Sequence, residues 1–241
     1  MDDVIISGAN GKMGSLVNDL IAKITSFNIA GLYDPSFQNS SNNYNDKKSL
    51  PDADLVIDFC SADAIFENCK YWIENYQNVI VGSSGLTTKN IDELRESITD
   101  TLLWIVPNFS IGSVLQKRWS LEAQEYFSSI NIEERHHSLK QDLPSGTAYD
   151  LASDLDSSTS KEVTINTTGE INNINNIQIH SIRDDRYLAE HEVMFSNQYE
   201  KLIIEHISKD RESYKKGITL ALDRYKDLSG LCIGLDLVLG K

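Results

Sequence analysis

The chain has 241 residues, enough for one large core or two small ones, with hydrophobic and charged fractions of 40% and 24% that suit a soluble globular protein. Its formal net charge of −14 argues against a nucleic-acid binder or a ligand of anionic membranes, since both need a basic surface. The 3 cysteines, Cys60, Cys69 and Cys232, form no CxxC pair and fit reduced thiols in the cytoplasm, with no secretory leader and no apolar run near the ~20 residues of a membrane span.

In chain order, Val4–Ile6 reads as a buried strand. Met13, Leu16, Val17, Leu20, Ile21 and Ile24 then fall on one face of a helix. A strand at Ile29–Tyr33, a strand at Leu55–Ile57, a helix at Ala64–Tyr76 and a strand at Val79–Val81 follow. After a helix at Asn90–Ile98, the strand Leu102–Val106 is stopped by Pro107. Alternation of this kind predicts a parallel sheet with crossover helices.

Beyond Asn108 the rhythm changes. A helix over Val114–Phe127 leads to a strand at Ile130–Ile132. Short β-like runs at Val163–Thr167, Ile177–Ile182, Val193–Phe195 and Leu202–Ile207 have no long helices between them, which predicts a mixed or antiparallel sheet. A last helix, Ser213–Tyr225, precedes a segment, Gly230–Gly240, expected to return to the first domain. The fold class expected is α/β: a Rossmann-like doubly wound parallel sheet from residues 1–107 and 217–241, plus a second α+β domain, 108–216, with a mixed open sheet. The Asn-rich stretches 39–46 and 171–177 read as surface loops or turns.

The turn Gly8-Ala9-Asn10-Gly11-Lys12-Met13-Gly14 joins the first strand to the first helix. Glycines there allow a tight turn and let backbone amides approach a pyrophosphate, helped by the positive end of the helix. Asp34, ending the second strand, is placed to accept hydrogen bonds from a ribose; with Pro35 rather than an arginine after it, it favours NADH over NADPH. Its plainer reading is a turn residue. Asp58-Phe59-Cys60, Gly82-Ser83-Ser84-Gly85 and Pro107-Asn108-Phe109-Ser110 each follow an apolar run, at the strand ends where doubly wound sheets bind ligands.

Residues 133–152 read EERHHSLKQDLPSGTAYDLA. Alone, His136-His137 would be a surface pair or a core histidine; Lys140 and the Pro144-Ser145-Gly146-Thr147 turn after it change that reading. Neither HExxH nor a Cys/His cluster is present, so no metal site is expected. His180, His191 and His206 read as structural.

Together with GANGKMG (8–14), DFCSADA (58–64), GSSGLT (82–87) and PNFSIG (107–112), this stretch resembles the dihydrodipicolinate reductase (4-hydroxy-tetrahydrodipicolinate reductase) family along nearly the whole chain. The resemblance implies a Rossmann domain and a substrate domain whose open sheet pairs into a homotetramer. It also implies reduction of a cyclic unsaturated imine by NADH or NADPH in the diaminopimelate branch of lysine biosynthesis. His136 is then the general acid and Lys140 its assistant and a substrate ligand; His137, Ser145, Gly146 and Thr147 bind substrate. Gly8, Asn10, Gly11, Lys12, Met13, Gly14, Asp34 and Phe59 line the cofactor, with Gly82, Ser84, Pro107, Asn108, Phe109 and Ser110 around the nicotinamide.

That chemistry suits the residue types. Hydroxyls and N–H groups at a helix start hold a carboxylate, and an ammonium adds a point charge. Imidazole, with an ordinary pKa of about 6.5, is able to donate near neutrality. After Arg183, Asp185 and Ala189 stand where the family tends to carry glycine, which strains the backbone only if φ is positive there. Two rivals stay open: another dehydrogenase such as an aspartate dehydrogenase, and a non-catalytic dinucleotide-binding regulator.

Overall fold

The computed structural model describes residues 1–155 and 169–240. The predicted strand at Val163–Thr167 lies outside them. The chain divides into two compact units, Met1–Ile111 with Tyr214–Lys241, and Gly112–Ser213.

In the first unit, seven strands form one parallel sheet: β1 (Asp2–Ser7), β2 (Phe27–Tyr33), β3 (Asn43–Tyr44), β4 (Leu55–Asp58), β5 (Asn78–Val81), β6 (Leu102–Ile105) and β12 (Leu231–Ile233). Their order is β12-β6-β5-β4-β1-β2-β3. Val4–Ile6, Leu55–Ile57 and Val79–Val81 are fully buried, as expected of strands covered on both faces. The helices are α1 (Lys12–Ile21), α2 (Ile65–Asn75), α3 (Thr88–Ser97) and α6 (Lys215–Arg224). In this sheet β12, from the C-terminal segment, pairs parallel to β6. Residues 39–46 are loop apart from β3, which pairs with Leu32 and Tyr33.

The second unit carries a mixed five-stranded sheet in the order β11-β10-β7-β9-β8. Its strands are β7 (Ser129–His136), β8 (Glu170–Ile174), β9 (Ile177–Arg183), β10 (Ala189–Ser196) and β11 (Lys201–Ser208). Only β7 and β9 run parallel; the other pairs are antiparallel. Helices α4 (Ile111–Ala123) and α5 (Gly146–Asp154) belong here too, α4 ending in a 3₁₀ turn at Gln124–Tyr126. Ala148, Leu151 and Ala152 of α5 pack with Ile130, Ile132, Ile179, Val193 and Phe195 of the sheet.

Two expectations need correction. The strand expected to stop at Ile132 runs on to His136, because the polar residues after Ile132 find partners on β9 and β10. The stretch 171–177 is mostly strand, its turn confined to Asn175 and Asn176 at φ 50° and 62°. Asparagine tolerates that left-handed backbone, which a tight hairpin needs at both central positions. Asp185 and Ala189 have negative φ, so their replacement of glycine strains nothing.

Candidate active site

In the first unit the glycine turn is built as a cradle. Gly8 sits at φ +71°, and a Cβ on it would lie 2.4 Å from the carbonyl oxygen of Phe59. A Cβ on Gly14 would lie 2.2 Å from the carbonyl oxygen of Gly8, so the first turn of α1 rests against the loop. Lys12 is exposed and Met13 half-buried. The carboxylate of Asp34 accepts from Asn10 N at 3.2 Å, Ser36 N at 3.0 Å and Ser36 Oγ at 2.5 Å. Asp34 thus serves as a turn residue and also ties the end of β2 to the glycine loop.

The three strand ends also come together. The rings of Phe59 and Phe109 are 5.7 Å apart. Any side chain on Gly82 would strike both, at 2.2 Å from Phe59 and 2.8 Å from Phe109. Ser84 and Pro107 are exposed, and Asn108 Oδ1 accepts from Ser110 N at 2.8 Å. Asp58 instead points inward. It is fully buried and accepts from Ser7 Oγ, Asn68 Nδ2, Trp72 Nε1 and Cys60 N at 2.5–3.1 Å.

In the second unit, alternation on β7 puts Glu134 and His136 on one face. Register sets His136 opposite Arg183 of β9 and Ala189 of β10, and Glu134 opposite His191. Glu134 is wholly buried. It meets His136 Nδ1 in a short hydrogen bond and accepts from both terminal nitrogens of Arg183 at 3.0 and 2.8 Å and from Ser145 N at 3.2 Å. Burial alone would raise its pKa, but the bonds from His136 and Arg183 outweigh that and hold it at about 2.

His191 packs edge-on to His136, ring centroids 5.2 Å apart, and its Nε2 lies 3.1 Å from Ser145 Oγ. Burial, with His136 beside it, pushes its pKa down to about 3. Arg183 also donates to the carbonyls of Lys140 and Asp142 at 3.1 and 2.6 Å, fixing the loop that carries Lys140. Sequence reasoning gave no role to Glu134 or Arg183 and read His191 as structural. The signal was present in the alternation through 132–136, but the partners come from distant strands.

Lys140 Nζ is 2.8 Å from Asp142 Oδ1, and Asp142 Oδ2 accepts from Gly146 N at 3.3 Å. Ser145 caps α5, its Oγ accepting from Ala148 N at 3.3 Å; it is buried, Thr147 half-buried and Gly146 exposed. His137 is half-buried and its carbonyl accepts from Lys140 N at 3.1 Å. Glu134, His136 and His191 each offer a ligand atom within 4.8 Å of the others. With Arg183, Ser145 and His136 already filling the carboxylate, the donor set suits a proton-handling group better than a cation.

A parallel nucleotide-type sheet joined to a mixed-sheet unit, with a glycine cradle in one and an imidazole–carboxylate–ammonium group in the other, defines a two-domain oxidoreductase architecture. Residues 3–109 match the model for "Dihydrodipicolinate reductase, N-terminus" and 112–239 that for "Dihydrodipicolinate reductase, C-terminus". A 4-hydroxy-tetrahydrodipicolinate reductase of Legionella pneumophila (strain Corby) is 35% identical, with 97% of each chain covered. A dipicolinate-bound dihydrodipicolinate reductase from Paenisporosarcina sp. TG-14 shares the fold at a TM-score of 0.81 and 24% identity, over 99% of this chain and 100% of that one. An aspartate dehydrogenase from Thermotoga maritima superposes at only 0.52 with 15% identity, over 93% and 96% of the two chains. This chain belongs to the dihydrodipicolinate reductase family.

Proposed function

We propose that the chain carries out the reaction for which its relatives are named, reduction of the cyclic unsaturated imine derived from 4-hydroxy-tetrahydrodipicolinate. The observation that carries this reading is the anion site beside His136. Lys140 Nζ and Gly146 N–H already hold a carboxylate, that of Asp142, so the donors assigned to a dicarboxylate substrate are competent to hold one. Substrate takes the place of Asp142 there, helped by His137, Ser145 and Thr147 and by the dipole of α5.

A bound dihydronicotinamide supplies the hydride. Gly8 through Gly14 and Asp34 would hold its nucleotide end, and Phe59, Gly82, Ser84 and Pro107–Ser110 its reactive end; the tight turn that Gly8 and Gly14 allow, closed against the start of α1, supports that use. His136 gives its proton to the carbon next to the one reduced, and Lys140 balances charge on the substrate. Asp34, with no arginine after it, supports NADH as the preferred donor.

Two further properties belong to the same reading. Ile171, Ile203 and Ile207 are 52%, 46% and 45% exposed on the sheet of the second unit, which supports pairing into a homotetramer. Free thiols at Cys60, Cys69 and Cys232 support a cytoplasmic enzyme. Among the described residues no helix is long and apolar enough to cross a membrane.

In an assay coupled to synthase-generated substrate, NADH and NADPH oxidation is expected, with the higher kcat/KM for NADH. Absence of turnover with both cofactors would sink the reading, and deamination of aspartate would establish the rival. Sedimentation should give a mass four times that of the chain.

A further inference from the structure

We propose that Glu134 is a positioning residue, clamped by Arg183, that fixes His136 in the tautomer protonated on Nδ1 and leaves Nε2 as the atom that delivers the catalytic proton. The inference rests on His136 acting as the acid of the proposed reaction.

The geometry leads there directly. An ionised carboxylate only accepts hydrogen bonds, so the imidazole nitrogen facing Glu134 must be the one that carries hydrogen in the neutral ring. Glu134 touches His136 Nδ1. Its two oxygens are further occupied by Arg183, through both terminal nitrogens, and by Ser145 N. A carboxylate so enclosed has no room for substrate, and it is held from three elements, β7, β9 and the start of α5. Its own acidity fits: at about 2 it stays ionised across the working range.

The charged and titratable groups around the pair are few. Arg183 faces it from β9, His191 from β10 and Lys140 from the loop after β7, while His206 of β11 acts on His191. His191, buried and with its Nε2 on Ser145, stays neutral and walls the ring of His136 on one side. In turnover His136 passes the Nε2 proton to carbon, becomes neutral while keeping hydrogen on Nδ1, and regains its proton from water. The ring need not turn over between cycles, because Glu134 holds Nδ1–H throughout. Arg183, which also grips the carbonyls of Lys140 and Asp142, keeps the acid and the lysine in one frame.

The test begins with the unaltered protein labelled with ¹⁵N-histidine, the His136 signals being assigned from their loss in His136→Gln. At a pH where His136 is neutral, hydrogen is expected on Nδ1 and none on Nε2; hydrogen on Nε2 overturns the proposal without any folding question. The second arm is Glu134→Gln, expected to lower kcat by about 10²-fold with KM for cofactor within about twofold, and to lose the single-tautomer signature. A folded Glu134→Gln enzyme that keeps more than half of kcat also overturns it. Failure of the function itself is separate: the unaltered protein would then show the tautomer but no turnover.

Discussion

Replacing His136 with glutamine is expected to lower kcat by about 10²–10⁴-fold, the usual contribution of a general acid, with KM for the nicotinamide cofactor within about twofold. The site makes this a clean substitution. His136 ends β7 and is only 7% exposed, with His191 against its ring and Glu134 against Nδ1. A glutamine amide is able to keep a hydrogen bond to Glu134 and to fill much of the same volume, so Glu134 retains its partners and the unit its fold. What is lost is the imidazole N–H that presents an acidic hydrogen to carbon. The coupled assay measures kcat and both KM values, and thermal denaturation followed by circular dichroism checks the fold. Unchanged kcat in a folded variant would remove His136 from the chemistry and leave Lys140 as the only cationic donor on that loop.

Where the sequence was readable, the reason lies in burial. Val4–Ile6, Leu55–Ile57 and Val79–Val81 are continuous apolar runs because parallel strands are covered on both faces, and α1 follows its 3.6-residue stripe. The glycine turn was readable because only a turn crowded by backbone demands glycine at 8 and 14. The end of β7 was not readable. Glu133-Glu134-Arg135-His136 contains no apolar residue, yet it is strand, since Arg135 lies among Glu133, Glu190, Glu192 and Glu205 on one face while Glu134 and His136 meet Arg183 and His191 on the other. The partners on other strands sit about 50 to 70 residues away in the chain, and a local window carries no trace of them. For the same reason the motif gave roles to His136 and Lys140, while Glu134, which opens that motif, and Arg183, which meet them in the fold, had none. Asn172 and Asn173 misled in the opposite direction, because asparagine is depleted in strands and yet here lies in β8.

Asp58→Ala is expected to destabilise the first unit by about 3–5 kcal/mol, the range of a buried polar network broken at its centre. As one of three polar strand ends, Asp58 had suggested a place in the ligand crevice; its carboxylate is instead the common acceptor for four donors. Removing it orphans Ser7 Oγ, Asn68 Nδ2, Trp72 Nε1 and the N–H of Cys60 together. Trp72 is fully buried beside Tyr33, Tyr71 and Tyr76, ring centroids 5.1–5.9 Å apart, so no water reaches its indole N–H without opening that cluster. Asp58→Asn should cost less, since its one oxygen, set where Oδ2 stands, still accepts from Ser7 Oγ, Asn68 Nδ2 and Trp72 Nε1, and only the N–H of Cys60 is left facing the new amide. The size of the gap between Ala and Asn separates loss of acceptors from simple loss of packing, which would rank the two by volume in the same direction but with a far smaller gap. Urea unfolding followed by tryptophan emission reports on this unit through Trp72 and Trp104. A loss below about 1 kcal/mol for Asp58→Ala, the worth of a single ordinary hydrogen bond, would mean that the four donors find other acceptors and that the carboxylate is free to serve a ligand after all.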